Sequence, residues 1–225
     1  MPHDDNLTRT NLRTPKAAAM AGIVFSIMLF LTFWLFRVSI PSGPSISNAW
    51  LADHARTITV ALSVVPFSGI AFLWFIGVFR DRLGQREDRL FATVFLGSGL
   101  LFLAMLFSAA AVASAVVVVF SATPDQPADL RMIAFARTLI SDLMNVYATK
   151  MAAVFMFSTS TVVIYTGFAP RYIGFLGYGL ALLLLFGSHH FEWSFLVFPA
   201  WVLLLSAHTL AADLSRHSHV RNPVP

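Results

Sequence analysis

From Phe91 to Phe120 the chain runs through 30 residues without an Asp, Glu, Lys or Arg. Wound as an α-helix at 1.5 Å per residue, such a segment is about 45 Å long and carries no charge on any side. A soluble fold has no place for it, whereas a bilayer with a hydrocarbon core about 30 Å thick needs only about 20 apolar residues to be crossed. The segment predicts a membrane helix that tilts or protrudes. The rest of the chain agrees, with 57% hydrophobic and 12% charged residues among 225 and a mean hydropathy of +0.75. So apolar a chain cannot furnish a polar exterior, so most outward side chains face lipid.

Five further runs have the same character. Ala17 to Phe36, between Lys16 and Arg37, ends in bulky Phe33-Trp34-Leu35-Phe36 rather than a small-residue cleavage site, and reads as a retained signal anchor. Ile58 to Phe79 contains Pro66, which a membrane helix tolerates. A fourth helix is expected from about Asp129 to Gly167, amphipathic early and continuously apolar from Met151. Ala169-Pro170-Arg171 is a tight connection to a short fifth span, Tyr172 to Gly187, and Ser194 to Leu210 forms the sixth. The expected architecture is an all-α polytopic bundle over 17–210 with polar tails at 1–16 and 211–225, and no separable soluble domain.

The net charge of +4 and pI near 10.0 would suggest nucleic acid in a soluble protein. Here the basic residues sit between spans and act as topology signals. With the N-terminus inside, the inner segments hold Arg9, Arg13, Lys16, Arg80, Arg82, Arg86, Arg89, Arg171, Arg216 and Arg221, against Arg37, Arg56 and Arg131 outside. This bias predicts both ends in the cytoplasm. The chain has no cysteine, which excludes disulfides, thiolate metal sites and thiol nucleophiles.

Helices in lipid associate through close packing of small residues. Gly97, Ala104, Ser108, Ala111 and Ala115 on the third span, Ala18, Gly22 and Ser26 on the first, and Gly174, Gly177 and Ala181 on the fifth each form a stripe and are expected to be contact seams. Trp34, Trp50, Trp74, Trp193 and Tyr172 fall near span ends, as interfacial anchors do.

Polar groups inside a membrane helix are costly and so are paired, wetted or functional. Thr138, Asp142, Asn145, Thr149 and Ser160 follow spacings of four, three, four and eleven and are expected on one face of the fourth helix. Such a stripe is suited to line a hydrated cavity, with Asp142 accepting a proton or cation. The competing structural reading puts Asp142 and Arg137 in the headgroups, with Lys150 snorkelling outward. A second constellation, His54 with His189, His190 and Glu192, shares one predicted aqueous face and has the donor types of a divalent-metal site, without a spacing that fixes it. No Gly-x-Ser-x-Gly elbow, His-Glu-x-x-His helix or Walker loop occurs. The hydroxyls of Ser158-Thr159-Ser160-Thr161 are expected to bond to their own backbone carbonyls.

Ala169-Pro170-Arg171-Tyr172-Ile173-Gly174-Phe175-Leu176-Gly177, with the upstream Met151-Ala152-Ala153-Val154-Phe155-Met156, resembles uncharacterised multi-pass bacterial membrane proteins grouped as domains of unknown function, in which a Pro-Arg-x-x-Gly-x-x-Gly turn links two late spans. The resemblance implies a bacterial inner-membrane location and carries no catalytic residue. The leading expectation is a non-enzymatic accessory, sensor or assembly component, without a cofactor. Its partners are lipid and a second copy or another membrane protein, not nucleic acid. The alternatives are a small-solute or ion transporter using the Asp142 stripe and a membrane enzyme with an outer metal site.

Overall fold

The computed structural model describes residues 14–39, 48–83, 89–122, 129–167, 169–187 and 194–221. All the regular structure among them is helical: α1 (Thr14–Ser39), α2 (Asn48–Leu83), α3 (Arg89–Ala122), α4 (Leu130–Ser141), α5 (Thr149–Thr166), α6 (Arg171–Gly187) and α7 (Ser194–Arg221). A π-helical turn, Asp142–Ala148, joins α4 to α5, so the fourth rod is one unbroken helix with a change of winding. Several helices run past the apolar runs: α2 begins at Asn48 and α7 continues to Arg221. The backbone has no reason to stop at the hydrocarbon edge, since its hydrogen bonds stay within the helix.

Side-chain register shows that neighbouring rods run antiparallel. On α1 and α7, Gly22 faces Ser206 and Phe33 meets Phe195. On α2 and α3, Phe79 meets Phe95 and Phe72 meets Phe102. On α5 and α6, Lys150 reaches Leu185 and Thr161 reaches Tyr178. The bundle therefore has an Asp142 end, where α1 and α3 finish and α4 and α7 begin, and a Gly167 end. Gly167 ends α5 in a left-handed conformation with φ 66°, a cap that costs glycine little. Pro170 then starts α6, its carbonyl accepting from the Ile173 N–H at 3.0 Å. The turn that sequence assigns to proline is thus divided between a glycine stop and a proline start.

Among the described residues four helices are long and apolar enough to cross a membrane, at His54–Gly77, Phe91–Val119, Arg131–Thr166 and Ser194–Ala212, and two shorter apolar stretches cover Ala19–Trp34 of α1 and Arg171–Gly187. Their outward faces carry Ile27, Leu31, Phe67, Ile70, Leu101, Phe157, Phe175 and Phe186, all exposed. In water this girdle would be a large aggregation-prone surface, whereas in lipid it is matched to its solvent.

The core is a phenylalanine cluster. Phe72, fully buried, lies 4.6 Å from Phe25, 5.5 Å from Phe102, 5.1 Å from Phe155 and 5.6 Å from Phe198, measured between ring centroids. Phe75, Phe79 and Phe95 extend it toward the Gly167 end. Mostly tilted or edge-to-face pairs of this kind add to area burial. Rings from α1, α2, α3, α5 and α7 thereby close the centre of the bundle.

Two of the expected small-residue seams are contact surfaces. A Cβ on Gly174 would stand 2.6 Å from the Ile164 side chain, and one on Gly177 would strike the Ser160 hydroxyl; Ala181 is buried. On α1, Gly22 packs against Ser206 and Phe75, and Ser26 is fully buried; Ala18 lies outside the side chains described. The α3 stripe is a correction. Ala104, Ser108, Ala111 and Ala115 are exposed, and a Cβ on Gly97 would meet nothing within 4 Å. Instead α3 turns Phe95, Ser98, Phe102, Leu106 and Ala109 inward. Small residues permit close approach without requiring it, and here the larger Phe and Leu side chains fill the wider gap.

Candidate functional site

The polar residues of the fourth rod do not share one face. Thr138 and Asp142 are exposed and Asn145 is half-buried, while Thr149 and Ser160 are buried. The cause is the π-helical turn. An i→i+5 turn inserts about one extra residue, setting everything beyond it about 100° out of phase with an α-helical projection. Thr149 rotates into the core, and its Oγ1 donates to the Met144 carbonyl at 2.8 Å, five residues back. Asp142 stays outside.

Ser160 belongs to a different place. Its hydroxyl and the Trp201 indole N–H both point at Gly177, and neither has a hydrogen-bond partner among the described residues. This is the packing seam of α5, α6 and α7, filled by side chains. The neighbours of Ser160 behave as membrane hydroxyls do: Ser158 donates to Val154 at 3.0 Å, Thr159 to Phe155 at 2.8 Å and Thr161 to Phe157 at 3.0 Å. Lys150 reaches toward the Asp142 end and donates from Nζ to the Leu185 carbonyl at 3.2 Å. It thus satisfies one of the last carbonyls of α6 and puts positive charge at the negative end of that helix.

Beside the start of the π-helical turn lies a cleft of about 230 Å³. Phe33 of α1, Val65 of α2, Leu106, Ala109, Ala110 and Ala113 of α3, and Phe195 of α7 form its apolar wall, joined by Thr32, whose hydroxyl donates to the Met28 carbonyl at 2.9 Å. Ile140, Ser141, Met144 and Asn145 complete it, with Asn145 Nδ2 donating to Ser141 Oγ at 3.2 Å. A smaller recess of about 10 Å³ shares Phe33, Met144 and Phe195 and is floored by Phe102 and Phe198. Thr149 and Ser194 line it, and Ser194 Oγ is buried without a partner among the described residues. A recess of this size is at the lower limit of what one water molecule needs. The site is therefore an apolar cleft with neutral amide and hydroxyl groups along one wall, stopped toward the Gly167 end by the phenylalanine cluster.

Sequence reasoning finds Asn145 and Thr149 as part of this site but misses Thr32, Ala109, Ala113 and Ser194. No spacing signal marks them, because the cleft is assembled from helices distant in sequence. Of the expected metal ligands, His54 is half-buried near the start of α2, whereas His189, His190 and Glu192 lie outside the described residues. Among the described residues no three His, Asp or Glu side chains come together around a common point. His208 stacks edge-on to Tyr172 at 6.4 Å.

Fold and site together define an all-helical protein of the membrane class, with helices apolar enough to cross a bilayer and an apolar cleft between them. No protein-family model, curated protein or solved structure matches the chain.

Proposed function

We propose that the chain is a six-span protein of a bacterial inner membrane, with both ends in the cytoplasm, acting without catalysing a reaction as an accessory, sensor or assembly component. One observation carries this reading: the polar groups of the fourth rod are divided, Thr138 and Asp142 outside and Thr149 and Ser160 in separate packed surroundings. A catalytic or conducting pathway needs its polar groups to converge on one wetted path. Helices α1 and α6 count as spans in this scheme because each packs antiparallel to a neighbour and presents exposed apolar residues.

Reporter fusions at the two ends test the topology, and a cytoplasmic signal from both is expected. Proteoliposomes test the function, and proton and monovalent-cation flux is expected to equal that of protein-free vesicles. The cleft, stopped by the phenylalanine cluster, favours a second reading: a transporter held in a state closed toward one side. Flux above the empty-vesicle level that falls in Asp142→Asn would establish that reading and refute the first.

A further inference from the structure

The cleft has a chemistry of its own. An apolar cavity large enough for several waters but offering few hydrogen-bond partners stays dry and takes apolar guests. At about 30 Å³ per small group, 230 Å³ admits roughly eight groups of methylene size. In a bilayer the apolar guest present at overwhelming concentration is the acyl chain.

What lies above the cleft selects among lipids. Arg137 precedes Ser141 by one turn of regular α-helix, so the two share a face, and Ser141 lines the cleft. Helical side chains lean toward the N-terminus, which carries the Arg137 guanidinium away from the cleft and toward the Asp142 end, about 6 Å or more above Ser141. Arg137 is exposed, and no described residue pairs with it. Asp142, the nearest carboxylate along the rod, projects about 140° round the helix from it. A phospholipid has this layout: a phosphate uppermost and apolar chains below.

We propose that this cleft binds one acyl chain of an anionic phospholipid whose phosphate rests on Arg137. The inference rests on the membrane-spanning reading above and gives the accessory or sensor role a ligand. Guanidinium matches phosphate geometry and attracts net negative headgroups. Asn145 and Ser141 face the glycerol-ester region, and Phe33, Met144 and Phe195 receive the chain.

The test is native mass spectrometry of the full chain, purified in detergent and incubated with phosphatidylglycerol or phosphatidylcholine. The wild type is expected to retain one phosphatidylglycerol and much less phosphatidylcholine. Ala113→Phe puts a ring into the cleft and is expected to lower retention ten-fold or more, because the ring fills the volume the chain would occupy. Ala110→Leu acts in the same direction with a smaller intrusion. Arg137→Gln, at an exposed position, is expected to cost roughly five-fold with phosphatidylglycerol and little with phosphatidylcholine. Val118→Phe, on an exposed face of α3, is the control that keeps wild-type retention. Unchanged retention in folded Ala113→Phe and Ala110→Leu, or in Arg137→Gln, overturns the proposal, as does equal retention of both lipids. A chain that stays dispersed without detergent would overturn the membrane reading itself. A detergent-requiring chain that retains no lipid overturns only the ligand.

Discussion

Gly177→Ala should destabilise this protein although it replaces a helix-disfavouring residue by the best helix former. On helical propensity alone the change gains about 0.5–1 kcal/mol. At this position the new methyl meets the Ser160 hydroxyl and stands 2.9 Å from both Cζ2 and Nε1 of Trp201. The indole is 1% exposed and has no room to withdraw, so the overpacking cost is about 1–3 kcal/mol. Gly179, two residues on, provides the comparison, since a Cβ there meets nothing within 4 Å. Gly179→Ala therefore keeps the propensity gain without the clash, and the two variants should differ by the overpacking cost, about 1–3 kcal/mol. At about 2–4 °C per kcal/mol for a chain of this size, Gly177→Ala should melt several degrees below Gly179→Ala in detergent, followed by circular dichroism. Adding Ser160→Ala removes the nearer obstacle and should restore part of the loss, a coupling of about 0.5–3 kcal/mol. Equal melting of the two single variants, or no rescue by Ser160→Ala, would refute the packing argument.

Phe72→Ala opens the centre of the ring cluster and should cost about 3–5 kcal/mol, read as lost resistance to denaturing detergent, whereas Phe67→Ala on the exposed face of α2 should cost far less. With no native cysteine to interfere, single replacements report exposure directly: Asp142→Cys should react with a membrane-impermeant maleimide and Thr149→Cys should not. Equal labelling of the two would contradict the phase change at the π-helical turn. Lys150→Met keeps the apolar stem but loses the bond to the Leu185 carbonyl, and should lower stability by about 1 kcal/mol in the same denaturation assay.

The sequence alone determined the solvent and the rods. Uncharged runs longer than a bilayer is thick leave helix as the only backbone arrangement that satisfies its own hydrogen bonds, so the helices were legible from Phe91–Phe120 and its counterparts. The Gly174-Gly177-Ala181 stripe was legible as a face that permits close approach, and there a neighbour does pack against it. The tertiary structure decided which faces meet. In lipid, apolar side chains are equally at home inside and outside, so hydropathy does not distinguish the buried Phe95–Ala109 face of α3 from its exposed Ala104–Ala115 stripe. Nor does a 3.6-residue projection foresee one π-helical turn, whose added residue leaves Asp142 outside, brings Thr149 into the core and assembles the cleft from five distant stretches of chain.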